Sequence, residues 1–238
     1  MRLQVYLSHN GVCSRRRALI LIQAGHVEVN NKEITEPSYL IDPKKDQVSV
    51  DGDRIKTATY DYIVLNKPKG FTTTKADRHA TRTVYDLLPV QYRHLASVGR
   101  LDRDSEGLLL LTNDGEVNYH LTHPKFQTIK KYFVQINGRL EFIHKSKLEA
   151  GIFLDGKRTA PAKINLSRKT KDFTTLYMII HEGKYRQIRR MFAKMKYKVA
   201  YLQRVQHGPL LLSSLKLGRW RQLVRDEKKQ LLRYCQDK

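Results

Sequence analysis

Acidic residues are scarce in this chain: 23 Asp and Glu stand against 45 Lys and Arg, which gives a formal net charge of +22. Such an excess repels itself inside a compact body, and its simplest use is to meet a polyanion. Nucleic acid is the leading partner, because Lys and Arg neutralise phosphates and release counterions. A membrane surface fits less well, since no run of about 18 apolar residues occurs and no long basic amphipathic segment stands alone. Cysteine is nearly absent. The two present, Cys13 and Cys235, lie at opposite ends of the sequence and exclude a disulfide framework or a zinc site. Nine histidines fall outside any HExxH pattern. The glycines spell neither a phosphate-binding loop nor a dinucleotide fingerprint, and no serine nucleophile elbow is found. The N-terminus carries no charged-then-apolar signal pattern. These absences predict a cytoplasmic protein with no metal and no cofactor.

What is present is a soluble composition, 40% hydrophobic and 29% charged, in 238 residues. At about 150 residues per domain this allows one large domain or two unequal ones. Charge divides the chain unevenly. Residues 1–56 carry nine basic and seven acidic side chains, a net of +2, and the remainder carries +20 (36 basic minus 16 acidic). A boundary within the polar residues 52–60 is expected, with a small domain over about 1–55 and a larger one over about 60–238.

The first segment reads as two helices and a short sheet. Leu3, Val5, Tyr6 and Leu7 start an apolar helical face that stops at Asn10-Gly11. Ser14 suits a helix N-cap, and a second helix runs from Arg15 to Gln23 before Ala24-Gly25. HVEVN alternates like a strand, Asn30-Asn31 suits a tight hairpin turn, and QVSVDG is a further strand. In the larger segment, YIVLNKP, GLLLLTNDG, IKKYFVQING and FTTLYMIIHEG read as strands. YRQIRRMFAKM reads as a helix carrying Ile188, Met191, Phe192 and Met195 on one face. The C-terminal stretch, with Trp220, Leu223, Val224, Leu231 and Leu232, is expected to complete the core with a strand and a helix. Locally paired strands around a few helices predict α+β, with a mixed, mainly antiparallel sheet.

Four stretches can carry chemistry. GRLDRDSEGLLLLTNDGE, Gly99 to Glu116, sets Arg100, Asp102 and Asp104 in a loop entering a buried strand. A carboxylate beside apolar residues and arginines is a candidate nucleophile or base; an ordinary surface turn with Arg–Asp pairs has the same spacing. HEGKYRQIRRMF follows the same logic for binding. From Lys184 to Arg204 there are eight basic residues and no acidic one, so Lys184, Arg186 and Arg190 are placed to face phosphates while the apolar positions pin the helix. LNKPKG, containing Lys67, is a weaker candidate for RNA contact. In Lys130-Lys131-Tyr132, an aromatic beside lysines suits base stacking, although tyrosine in a strand is more often packing.

Together, LNKPKGFTTT, SVGRLDRDSEGLLLLTNDGE, KKYFV and EGKYRQIRRMF, in that order and spacing, resemble the RsuA family of ribosomal RNA pseudouridine synthases. RLQVYLSHNGVCSRRRALILIQAGHVEVNNKEI resembles the small RNA-binding module of a small-subunit ribosomal protein. The resemblance implies an S4-like domain ahead of a pseudouridine synthase domain whose cleft crosses the middle of the sheet. It also implies that Asp102 is the catalytic carboxylate, attacking the sugar or acting as the base that forms a glycal. Arg100 fills the space left by the flipped base or holds a flanking phosphate, Tyr132 stacks on the uracil, and Arg189 pairs with Asp102 and keeps it ionised. Asp104 has no counterpart in the motif. Arg15, Arg16 and Arg17 at the start of the second helix are expected to hold RNA outside the pocket. Ser105 stands where threonine is common, and Gln4 where a charged residue is usual. The expected partner is ribosomal RNA, free or in a pre-ribosomal particle, preferentially of the large subunit with the small subunit as the alternative, bound by a monomer. A non-catalytic RNA-binding or ribosome-assembly factor is the rival reading of the charge. A DNA-binding protein lacks the helix-turn-helix or zinc finger it would need.

Overall fold

The computed structural model describes residues 1–55, 59–75 and 82–237. Part of the expected boundary, residues 56–58, lies outside the described residues. Two compact units are formed. One comprises Met1–Asp61 with His94–Ala96 and Thr112–Gly115, and the other the remainder of the chain.

In the first unit, α1 (Leu3–His9) buries Leu3, Tyr6 and Leu7, one stripe at helical spacing. α2 (Arg15–Gln23) begins where the Ser14 side chain accepts a hydrogen bond from the Arg17 amide at 3.2 Å. Its buried Ala18 and Ile22 leave Arg15, Arg16 and Arg17 exposed. β1 (Val27–Val29) and β2 (Lys32–Glu33) flank Asn30 and Asn31, both left-handed (φ 53° and 63°), as a two-residue hairpin turn requires. With β3 (Val48–Val50) and β4 (Asp53–Arg54) they form an antiparallel sheet in the order β2-β1-β3-β4.

The second unit is built on a mixed sheet. Its elements begin with β5 (Tyr62–Lys67), β6 (Ala96–Ser97), β7 (Glu106–Thr112), α3 (Gly115–Thr122), β8 (Lys130–Asn137) and α4 (Phe142–Ala150). A short hairpin, β9 (Phe153–Leu154) and β10 (Lys157–Arg158), follows. β11 (Lys163–Lys169), β12 (Phe173–Ile180), α5 (Gln187–Lys194), β13 (Val199–His207), β14 (Leu210–Leu211), β15 (Trp220–Gln222) and α6 (Arg225–Gln236) complete the chain. Among the described residues the sheet order is β11-β12-β8-β13-β7-β5-β15, with β14 on β13 and β6 on β7. β5 and β7 are buried along their whole length; the apolar runs Tyr62–Leu65 and Leu108–Leu111 predict this for those residues, but not for Asn66 and Lys67. β8 and β12 alternate instead, which turns Tyr132, Val134 and Ile136 inward. The fold is α+β with a mixed, mainly antiparallel sheet, as expected from the sequence. The C-terminal strand and helix form as expected, with Leu231 buried, but Val224 is 59% exposed because it caps α6. No helix among the described residues is long and apolar enough to cross a membrane.

At the centre of the sheet β13 runs parallel to β7, pairing Arg204 with Gly107. Gly107 is left-handed (φ +108°), and a Cβ there would lie 2.3 Å from the Arg204 carbonyl oxygen. Gly107→Ala is therefore expected to cost at least about 3 kcal/mol of stability, through strain and backbone displacement together. Urea denaturation checks this, and a midpoint equal to that of the parent chain would contradict the account of the crossing.

Candidate active site

Just before β7 the chain makes the loop Gly99–Ser105, which sits over a cavity of about 720 Å³. Arg100, Asp102 and Arg103 line it from the loop, Tyr132 from β8, Ile180 from the end of β12 and Leu202 from β13. The opposite rim is the segment entering α5, including Lys184, Tyr185 and Arg186. Apolar side chains form its base and basic ones its rim, as an RNA base with its phosphates requires.

The loop is anchored from beneath by β5. Lys67, the last residue of that strand, is 0% exposed. Its Nζ donates to the carbonyl oxygens of Asp102 (3.0 Å), Ser105 (2.8 Å) and Pro68 (3.1 Å). Burial pushes its ammonium down to about 8, while Asp102, Asp104 and Glu106 pull it upward. The expectation that Lys67 contacts RNA is therefore corrected: the side chain is consumed by its own loop. A second clasp comes from Thr73, whose Oγ1 donates to the Leu101 carbonyl (2.9 Å) and accepts from the Leu101 amide (3.3 Å). The motif LNKPKGFTTT thus holds the GRLD loop, and its Thr72, Thr73 and Thr74 also line the cavity. Nothing in its spacing announces this, because the contact joins positions far apart in sequence.

The charges are partitioned differently from expectation. Arg186 donates from both terminal nitrogens to Asp104 Oδ1 (2.7 Å) and Oδ2 (2.8 Å). Arg189 places Nε 3.2 Å from Asp104 Oδ2 and donates from a terminal nitrogen to the Asp104 carbonyl (2.8 Å). The predicted Arg189–Asp102 ion pair does not form, because Asp104, two residues on, takes both guanidinium groups. Sequence reading left Asp104 unassigned; it is the charged anchor of α5. The hydrogen bond from Arg186 holds its carboxyl below the usual range. Among the described residues no hydrogen bond or ion pair at contact distance reaches the Asp102 carboxylate. Burial raises its pKa above the usual 3.8, with Arg186, Arg189 and Lys67 opposing from a distance and Asp104 reinforcing.

The other predicted contacts separate into two groups. Arg100 is exposed at the cavity rim, and Lys184 lines it while donating to the Arg158 carbonyl (3.2 Å). Arg186 lines the cavity but is committed to Asp104. Two predicted phosphate contacts are not among the residues that line the cavity. Arg190 forms an ion pair with Asp155. Lys130 donates to the Thr128 carbonyl (3.2 Å), and burial pushes its ammonium to about 8. Tyr185, 75% exposed on the rim, was not singled out by the sequence.

Lys67→Met keeps the volume and orphans three carbonyl oxygens, so it is expected to destabilise the protein by about 2–4 kcal/mol. Chemical denaturation measures this; a loss below about 0.5 kcal/mol, the size of an ordinary surface change, would mean that the ammonium does not hold the loop.

Comparison with known proteins agrees with this geometry. Residues 61–194 match the RNA pseudouridylate synthase family and residues 1–48 the S4 domain. The chain is 38% identical over 232 residues to the ribosomal large subunit pseudouridine synthase B of Bacillus subtilis (strain 168), covering 97% of this chain and 95% of that one. It is 33% identical to an uncharacterized RNA pseudouridine synthase of Aquifex aeolicus (strain VF5), covering 98% and 94%. A crystal structure of a pseudouridylate synthase superposes with a TM-score of 0.70 at 30% identity, over 97% of this chain and 99% of that one. With a catalytic-domain match over more than half its length and a relative aligned nearly end to end, the chain belongs to the RNA pseudouridine synthases of the RsuA type, carrying an S4 domain at its N-terminus.

Proposed function

We propose that this protein isomerises uridine to pseudouridine in ribosomal RNA, of the large subunit, with Asp102 as the catalytic residue. The observation that carries the reading is a half-buried carboxylate with no contact partner among the described residues, in a cavity with a basic rim, while its neighbour Asp104 takes the direct contacts of Arg186 and Arg189. Isomerisation breaks the N–C glycosidic bond, turns the base and joins its C5 to the same sugar carbon. The C5 proton leaves and N1 gains one, so no outside atom is incorporated. Attack on the sugar and formation of a glycal both need an uncommitted carboxylate. The target base must first leave its stack. Tyr132, 8% exposed in the cavity wall, gives the extruded uracil a stacking face, and Arg100 on the rim meets the flanking phosphate or occupies the vacated space. Arg189 acts on Asp102 at a distance, by fixing Asp104 and the loop between them. Lys184 and the exposed Arg15, Arg16 and Arg17 supply phosphate contacts. The name of one relative supports large-subunit RNA as the substrate; a reaction that incorporates no outside atom supports action without a cofactor, and the protein is taken to act in the cytoplasm as a monomer, on free RNA or a pre-ribosomal particle.

Asp102→Asn is expected to lower pseudouridine formation at least about 10³-fold, the scale of losing the reacting group, while RNA binding survives. Normal turnover by the variant on ribosomal RNA would overturn the assignment. The same variant tests the electrostatics. A carboxyl whose pKa is raised on folding stabilises the fold only when protonated, and this is lost as pH rises through the folded pKa. At pH 7 Asp102→Asn should therefore melt at or above the temperature of the parent chain. The difference should close as pH falls through the carboxylate range, and a lower melting temperature at neutral pH would contradict the burial.

A further inference from the structure

The second unit carries an aromatic and basic cluster that the isomerisation chemistry does not use. It lies between α3 and β8. Tyr119 is 46% exposed, and its ring centroid is 4.8 Å from His123 and 5.5 Å from Phe126. His120 stacks on Phe126 at 4.0 Å with 24° between the ring planes. Lys125 Nζ stands 4.6 Å from the Phe126 centroid and 5.3 Å from that of Tyr119. The backbone beneath is a tight turn, Pro124–Phe126, closed by Gln127 in the left-handed region (φ 46°). His123 Nδ1 accepts from the Lys125 amide at 3.3 Å, so the rings are displayed on fixed backbone.

Beside this turn is a cavity of about 340 Å³ lined by Lys125, Phe126, Gln127, Ile129 and His181. It offers two flat rings, one apolar side chain, one amide and one ammonium. That set matches a nucleotide: rings for the base, apolar floor beneath it, amide for its edge and cation for its phosphate. The His181 ring is fixed by the contact of its Nδ1 with the Gln127 carbonyl at 3.0 Å. Both this cavity and the candidate active site border the same ends of β8 and β12. Ile180 lines the first cavity and His181 the second; on the neighbouring strand Tyr132 lines the first, and Ile129, three residues earlier, the second.

We infer that this cavity is a stacking subsite for an unpaired RNA base near the target uridine, with Phe126 and His181 gripping the base and Lys125 its phosphate. The inference rests on RNA being the substrate, as proposed above, and adds a second recognition point outside the reacting site. Charge decides the occupant: the second cavity contains no carboxylate, in a chain whose net charge is +22.

The test measures binding of a short fluorescein-labelled oligouridine RNA by anisotropy across a salt series, with Asp102→Asn present throughout so that turnover plays no part. In the full-length chain Phe126→Leu should weaken binding about 5- to 100-fold with an unchanged salt slope, because a base stack is lost and no phosphate contact. Phe126→Tyr should restore affinity. Lys125→Ala should lower the salt slope by about one. Parent-like affinity in Phe126→Leu, or an unchanged slope in Lys125→Ala, would overturn the inference. Should Phe126→Leu fold poorly, the exposed Lys125 carries the test alone. Failure of the isomerase reading would appear separately, as absence of pseudouridine in reactions of the parent chain with the same binding results.

Discussion

One buried ammonium organises the catalytic half of the molecule. Lys67 ends a fully buried strand and donates to three carbonyl oxygens of the segments around it, two of them in the loop that carries Asp102. An unpaired cation in that position would be prohibitive. Three carbonyl dipoles and the negative field of Asp102, Asp104 and Glu106 make it tolerable. The interaction works in both directions: the loop solvates the lysine, and the lysine fixes the loop. Thr73 adds a second tie a few residues away, so the loop is held at Leu101, Asp102 and Ser105 at once.

With the backbone fixed, the charges can be divided. Asp104 is close enough to Arg186 and Arg189 to take both, and Arg186 adopts a left-handed backbone (φ 48°) at the start of α5 as it does so. A bidentate contact of this kind is strong and directional. Its single negative charge offsets one of the two guanidinium charges, so Asp102 stays in a net positive longer-range field. Direct pairing would have used up the lone pairs that the proposed chemistry requires. The arrangement keeps a carboxylate uncommitted in an apolar cleft without stranding it from positive charge.

Much of the fold was legible in the sequence, and the reason lies in local physics. Ser14, Asn30-Asn31 and the alternation of residues 130–137 state their structures within a few positions. The apolar spacing of Ile188, Met191 and Phe192 identified the buried face of α5. The cavity was legible in outline, since Arg100, Asp102, Tyr132 and Lys184 all line it. What escaped was the pairing of polar groups across distant segments. Lys67 and Lys130 look like surface lysines because nothing in a linear pattern marks a lysine whose donors are taken by carbonyls. Arg189 and Asp102 were joined on resemblance, yet the choice between Asp102 and Asp104 depends on where a loop turns, which spacing does not specify.

The buried lysine also separates two quantities that usually move together. Its pKa near 8 means that mildly alkaline solution removes the proton inside the folded protein while the unfolded chain retains it. Between about 8 and 10.5 the unfolded form binds more protons, so the conformational free energy from this group improves with alkalinity. Over the same range a neutral amine grips carbonyl oxygens less firmly, and the loop loses definition. An alkaline decline in turnover would then report the slackening of a scaffold in a protein that has become no easier to unfold, rather than the titration of any atom in the reaction.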